Sequence, residues 1–301
     1  MNHQDAIAVI DKPLGMTSHD VVAKVRKLLN TKKVGHAGTL DPQASGVLVL
    51  GINRGTRFMQ YFVGDDKCYE AVIRLGVSTI SDDADGEVIA TKSSSLSVAE
   101  ISAAMRNFHG EIMQRPSSVS AIKVDGKRAH DLVRSGVDLV LPERPVVVHE
   151  FELVAVAKSE FDGISVTDIS VQVRCSSGTY VRALARDLGE LLNVGGSILT
   201  LRRTQAGVFG IAEAQQLPEI TDELATLSLG EVANRILPCV TITQSQMIDL
   251  THGRAIEIQT TQQSPIAVLT EAGQLVAVGV CQAGKFQPTN VFSAAKVLDN
   301  E

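Results

Sequence analysis

Between Val34 and Gly51 the chain reads VGHAGTLDPQASGVLVLG, a loop of small residues carrying one carboxylate, Asp41, and then an apolar run. The run Val47-Leu48-Val49-Leu50 reads as a buried strand, and a buried strand commits the chain to a sheet with a core against it. The loop in front of that strand therefore stands on a rigid base and can offer its carboxylate to a ligand. Gly38 and Gly46 permit backbone conformations closed to other residues, while Pro42 fixes its own φ and biases Asp41 away from helix. An isolated Asp-Pro would merely open a turn. Here the whole segment argues for more.

A chain of 301 residues with 44% apolar content can bury a large core, and has the length for one big domain plus a small one. Trp is absent, so the three tyrosines, Tyr61, Tyr69 and Tyr180, stand out as the large polar aromatics. Cys68, Cys175, Cys239 and Cys281 lie far apart and form no C-x-x-C pair. Neither a zinc site nor a disulfide framework is suggested, which fits a reducing cytosol. No charged-then-apolar leader opens the chain, and no apolar run approaches the roughly 20 residues of a membrane helix. A cytoplasmic protein without membrane attachment is expected.

The net charge of −6 is unusual for a nucleic-acid binder, but its distribution is uneven. Residues 211 to 301 hold four Lys/Arg and ten Asp/Glu, so the first 210 residues are neutral. Within those, Lys12, Lys24, Arg26, Lys27, Lys32 and Lys33 face a single acid, Asp20, which makes a local basic face possible.

Ala6 to Ile10 reads as a strand, and Thr17-x-x-Asp20 as a capping box for a helix with Val21, Val22, Val25, Leu28 and Leu29 on one face. From Tyr69 to Gly76 the chain alternates, with Tyr69, Ala71, Ile73 and Leu75 on one side and Glu70 and Arg74 on the other. Thr79-x-Ser81-x-Asp83-x-Asp85-Gly86 is rich in carboxylates, yet it lacks the twelfth-position Glu of a calcium loop, and a calcium site is rejected. Ser97-Val98-Ala99-Glu100 caps a helix reaching about Phe108. The segment Gln114 to Arg128, rich in Ser and basic residues, would on its own be a surface loop. Pro145 to Val156 and Ile164 to Cys175 are strand-like. Small residues then turn the chain into a helix beginning near Tyr180 that buries Val181, Leu184, Ala185, Leu188 and Leu191 and sets Arg182 off its apolar stripe. Beyond Leu237 come short strand-like pieces, Ile266 to Thr270 and Leu275 to Cys281, separated by Gly253, Gly273 and Gly284.

GHAGTLDPQASGVL closely resembles the catalytic-aspartate motif of the bacterial TruB-type tRNA pseudouridine synthases. Four further stretches resemble that family in the expected order: Lys12-Pro13-x-Gly15-x-Thr17-Ser18, the Tyr69 strand with the Asp83 loop, Arg174 to Arg182, and Leu199 to Gly207. The resemblance implies a mixed α/β (α+β) fold. Its large, mainly antiparallel sheet is flanked by helices in a catalytic domain at 1–236, with a thumb-loop insertion at about 115–145, and a small PUA-like β barrel occupies 237–301. It implies that Asp41 is the essential carboxylate, that Arg182 pairs with it, and that Tyr69 stacks on the flipped uracil and handles the proton at C5. A guanidinium beside Asp41 would also aim that carboxylate. His36 is implied to enter the RNA loop, Lys12 and Pro13 to support the pocket, Asp83 to support the site, Tyr180 to lie against the nucleotide, and Leu201 to pack at the base.

The reaction implied is isomerisation of uridine 55 in the T loop of tRNA, with tRNA as partner, no cofactor, no metal, and a monomer as the working form. Base flipping costs a few kcal/mol, which explains why wedge, stacking and thumb residues accompany one carboxylate. Three rivals differ in what they need. A non-catalytic tRNA-folding chaperone has no use for Asp41 with Arg182. A guide-RNA-dependent pseudouridine synthase shares the motifs but needs its guide. A glycoside hydrolase uses paired carboxylates, and the loop supplies one.

Overall fold

The computed structural model describes residues 5–292 apart from 121, 125, 136, 138, 218–222, 259 and 261–264. Its centre is an 11-stranded sheet whose main path runs 215–216, 6–12, 44–52, 196–206, 67–75, 164–175, 144–161, 110–114. Most neighbours are antiparallel. The exceptions are the pairing of Ala44–Ile52 with Gly196–Ala206, and a short parallel contact between Ala6–Lys12 and Gln215–Gln216. This is the mixed, mainly antiparallel sheet the sequence led us to expect.

The strand Ala44–Ile52 is central because both of its faces are covered. Ile7, Val9, Val47 and Val49 pack with Phe58, Phe62, Phe209 and Val232 on one side. Ala8, Ile10, Leu48 and Leu50 pack with Val21, Val22 and Val25 of the helix Ser18–Leu28 on the other. That two-sided burial is why Val47 to Leu50 shows no polar alternation, at about 1.5–3 kcal/mol of stabilisation per large apolar side chain. Further along the sheet, the helices Val98–Met105 and Val181–Leu191 cover Ala71, Ile73, Val171 and Val173. Thr17 and Asp20 form the expected capping box, as do Ser97 and Glu100, so each helix starts where its sequence satisfies the free N–H groups.

One edge of Ala44–Ile52 is shared between two partners. Gly196–Ala206 takes residues 44–46 in parallel, and Val34–Ala37 takes residues 49–52 antiparallel. The loop that carries Asp41 leaves Val34–Ala37 between them. Gly46 makes the close approach possible: its φ is +102°, and a Cβ there would lie 2.1 Å from the Arg203 carbonyl oxygen. Gly46→Ala is therefore expected to destabilise the chain by about 3 kcal/mol or more, because left-handed strain of about 1–3 kcal/mol adds to displacement of a paired strand. A melting temperature within a degree or two of wild type would contradict this.

A second sheet of five strands, in the order 239–241, 266–269, 275–282, 285–291, 256–257, curls as a half-barrel of the kind a PUA-like module has. Ile256, Ile266, Val268, Val276 and Phe286 form its own core. Ala267, Leu269, Leu275 and Val278 instead join the cluster of Ile7 and Phe58, and Asn290 donates to the Tyr61 hydroxyl at 2.8 Å. The acidic segment is thus packed against the large sheet through part of its own sheet. In the expected thumb, a short hairpin, Lys123–Val124 with Lys127–Arg128, precedes the helix Ala129–Arg134. Ala121, Asp125, Gly136 and Asp138 of that segment lie outside the described residues. No helix among the described residues is long and apolar enough to cross a membrane.

Candidate active site

The Asp41 loop is braced from beneath by side chains that hydrogen-bond its backbone. Ser18 Oγ donates to the Leu40 carbonyl at 3.0 Å and accepts from the Leu40 N–H at 2.9 Å. Gly15 N–H donates to the Pro42 carbonyl at 2.9 Å. Lys12 is fully buried, and its Nζ donates to the carbonyls of Met16 at 2.6 Å, Pro13 at 2.9 Å and Pro42 at 3.4 Å. Burial lowers its pKa to about 8, against the opposing attraction of Asp41. The stretch 12–18 is thus a platform for the loop. Lys12 is not part of a surface basic face, which corrects the grouping of six bases; Lys24, Arg26, Lys27, Lys32 and Lys33 are exposed.

Asp41 is joined to Arg182 by an ion pair of 2.8 Å between Oδ2 and Nη2. Arg182 stands in the first turn of Val181–Leu191, off the apolar stripe, yet it is only 5% exposed because polar groups surround it. Its Nη1 lies 3.3 Å from Asp83 Oδ2 and donates to the Ser81 carbonyl at 2.6 Å, while Nη2 also donates to the Val119 carbonyl at 3.1 Å. Asp83 in turn accepts from Ser81 Oγ at 2.5 Å and from the Asp85 N–H at 3.2 Å. The carboxylate-rich loop that could suggest calcium is occupied instead in orienting an arginine. Arg182 uses its planar fork to connect the Asp41 loop, the Asp83 loop and the root of the thumb. The pair engages Oδ2 of Asp41 and leaves Oδ1 without a protein partner among the described residues.

These groups open on a cavity of about 340 Å³, within the range of small-ligand sites. Tyr69, Leu201 and Ala44 line it from neighbouring strands, with Lys67 and Arg203 beside them. Burial raises the pKa of Tyr69 above its ordinary 10, with Arg203 opposing, so its hydroxyl keeps its proton at neutral pH. The exposed residues Ser177 and Gly178 mark the rim, together with Tyr180, whose ring lies 5.0 Å beneath the Arg144 guanidinium. Gln114, fully buried, fixes Tyr180 by bonding both its N–H at 2.8 Å and its carbonyl at 3.1 Å.

Of the residues expected from sequence, Asp41, Tyr69, Tyr180, Arg182 and Leu201 line one cavity. Asp83 reaches it through Arg182. Lys12 and Pro13 do not line it; Lys12 acts through the loop backbone. His36 lies outside it on Val34–Ala37, edge-on to His19 with ring centroids 5.4 Å apart, and its buried Nδ1 has no hydrogen-bond partner. Burial lowers its pKa, with His19 and Arg203 adding to the effect. Lys67, Arg144 and Arg203 also line the cavity, and the sequence reading does not single them out. A signal exists for two of them: Lys67 is in phase with Tyr69 and Arg203 with Leu201 on period-two strands. Among the described residues no group of three or more His, Cys, Asp or Glu is placed to hold a metal ion.

Residues 26–181 match the N-terminal domain model of the TruB family of pseudouridylate synthases, and residues 182–241 match a tRNA pseudouridylate synthase B C-terminal domain. The chain is 46% identical to tRNA pseudouridine synthase B of Arthrobacter sp. (strain FB24), covering 95% of this chain and 96% of the relative. It is 48% identical to the protein of that name from Corynebacterium glutamicum (strain R), over 90% and 91%. Among solved structures, a chain of an H/ACA RNP bound to a substrate RNA containing 2′-deoxyuridine is similar at TM-score 0.69 and 25% identity, covering 97% of this chain and 86% of that one. A chain of a Cbf5-Nop10-Gar1 complex is similar at TM-score 0.69 and 28% identity, over 96% and 84%.

Proposed function

The chain belongs to the TruB family of pseudouridylate synthases, isomerases that convert uridine to pseudouridine in tRNA, and from that premise we propose that it acts on uridine 55 of the T loop. The observation that carries this reading is the pairing of Asp41 with Arg182 at the edge of a cavity lined by Tyr69, Tyr180 and Leu201. In the reaction the N1–C1′ bond breaks, uracil turns, and C5 bonds to C1′, with no net change of redox state. One carboxylate suffices, either by attack on C1′ or by taking a proton from the ribose, and Oδ1 of Asp41 is the atom available for it. Arg182 aims Asp41, Asp83 holds Arg182, Leu201 and Tyr180 seat the nucleotide, and His36 enters the loop that the base has left. A neutral imidazole suits that place, since it can stack without carrying charge into the RNA interior. Residues 1–236 form the catalytic unit, with the thumb at about 115–145, and 237–301 a PUA-like module; the substrate is cytoplasmic tRNA.

Similarity to chains from RNP assemblies raises the alternative of a guided synthase. The closer match to synthase B relatives over nearly their whole length favours action without a guide. Incubation of the chain alone with an unmodified tRNA transcript tests this. Conversion is expected without added RNA, and a transcript with cytidine at position 55 should gain no pseudouridine. Modification elsewhere in that transcript would contradict the positional assignment.

The exposed bases of the helix Ser18–Leu28 and the turn after it lie close in sequence to His36 and offer a phosphate-binding face despite the acidic whole. Replacing Lys24, Lys27 and Lys33 together with Gln should weaken tRNA binding and reduce the salt slope by about 2 to 3, since each phosphate contact contributes roughly 0.7 to 0.9. An unchanged slope would leave these lysines as a solvated face.

For Tyr69, ring and hydroxyl are separable. Tyr69→Phe should bind tRNA yet lose roughly 10²- to 10⁴-fold in single-turnover rate, the range for a general acid or base. Tyr69→Leu should be no faster and should also bind less well, since stacking on a base contributes about 1–3 kcal/mol. A fully active Phe variant would reduce Tyr69 to a stacking platform.

A further inference from the structure

Lys67 and Arg203 line the cavity but take no part in the steps above. They stand on neighbouring strands, Lys67 two residues before Tyr69 and Arg203 two after Leu201, so both share the sheet face of the residues assigned to the base. Arg203 is 1% exposed and Lys67 6% exposed. Among the described residues neither has a carboxylate within ion-pair distance. Arg203 donates to the carbonyls of Val47 at 2.7 Å and Gly38 at 3.1 Å. Lys67 donates to those of Val63 at 2.8 Å and of Asp65.

Bracing carbonyls needs donors, and a neutral side chain would supply them without burying charge. The two cations also repel each other. The pKa of Lys67 is lowered first by burial and then by Arg203, with Asp65 and Asp66 offsetting this from beyond ion-pair range. A site that keeps such charges is built for negative charge that arrives later. Phosphate would meet Arg144 and the exposed rim first, whereas these two cations lie deep beside Tyr69 and Leu201.

Resting on the reading of this cavity as the uracil pocket, we propose that Lys67 and Arg203 stabilise the negative charge carried by uracil as it leaves C1′. When the C1′–N1 bond breaks, its electron pair stays on N1 and spreads to O2 and O4. The ring then turns, the C5 electron pair forms the bond to C1′, the C5 proton passes by way of the Tyr69 hydroxyl to water, and N1 takes one proton from water, so that no proton is gained or lost overall. Both cations keep their own protons throughout.

The test uses the full chain with a T-arm stem-loop RNA carrying either uridine or 5-fluorouridine at the target position. Fluorine withdraws electrons, so its uracil leaves with less help. Rates of loss of the target nucleoside are measured by nuclease digestion and mass spectrometry at saturating enzyme for wild type, Lys67→Gln and Arg203→Gln. Each variant is expected to be about 10²-fold slower on uridine but only about tenfold slower on 5-fluorouridine, with RNA affinity unchanged. A purely structural role slows both substrates by one factor; that result, or unchanged rates, overturns the proposal. If Arg203→Gln melts well below wild type, Lys67→Gln decides, because it leaves the Arg203 contacts to the Asp41 loop in place. Wild type inert on uridine would instead overturn the pocket reading beneath the proposal.

Discussion

Asp41→Asn is expected to abolish pseudouridine formation while leaving tRNA binding within about tenfold, roughly 1.4 kcal/mol. The substitution keeps the side chain's shape and removes its charge. The loop should survive it, because its geometry is set by backbone contacts to Lys12, Gly15 and Ser18 and by the Ala44 N–H bonding the Asp41 carbonyl at 3.0 Å. What is lost is the charged half of the 2.8 Å pair with Arg182, together with the carboxylate oxygen proposed to act at the ribose. Appreciable turnover by a carefully purified Asp41→Asn protein would remove Asp41 from the chemistry.

The second large effect is expected at Arg182. Arg182→Met leaves Asp41 and Asp83 without their common cation, and leaves the carbonyls of Ser81 and Val119 without that donor. Breaking a buried charge pair by removing one partner costs about 3–5 kcal/mol, so melting should fall by about 10 °C. The rate should fall by 10²-fold or more, since small displacements of a reacting group have effects of that size. Arg182→Lys keeps the charge but cannot span all four acceptors with one ammonium, so it should recover stability better than rate. A variant lacking the guanidinium yet turning over within tenfold of wild type would show that Asp41 needs no aiming.

Local signals in the chain are legible at close range. The capping boxes at Thr17 and Ser97, the alternation after Tyr69 and the helix from Val181 depend on neighbours in sequence, and they stand where expected. Leu191 is the exception: expected on the buried stripe of that helix, it is 53% exposed, because the helix ends there and the stripe runs out with it. The strand Arg144–Phe161 runs past the expected Val156, because its hairpin with Ile164–Cys175 extends beyond the apolar stretch that marked it. Pairings distant in sequence were less legible. Lys12 looks like a surface base until Pro42 is brought over it, and the period-two phase of Arg203 with Leu201 gives no sign of its burial until Gly46 pairs beside it. Likewise Arg182 reads as a residue off an apolar stripe, and only the fold wraps it in Ser81, Asp83 and Val119. The resemblance supplied the cast of the cavity; the geometry adds which of them touch it and which act from behind.

The central claim, that this cavity isomerises one uridine through the Asp41 carboxylate, is tested most directly by carbodiimide mapping of an unmodified tRNA transcript after incubation with the wild-type chain or with Asp41→Asn. A single new adduct stop at position 55 is expected with wild type and none with the variant. A stop at another position, or one that persists with Asp41→Asn, would contradict the claim.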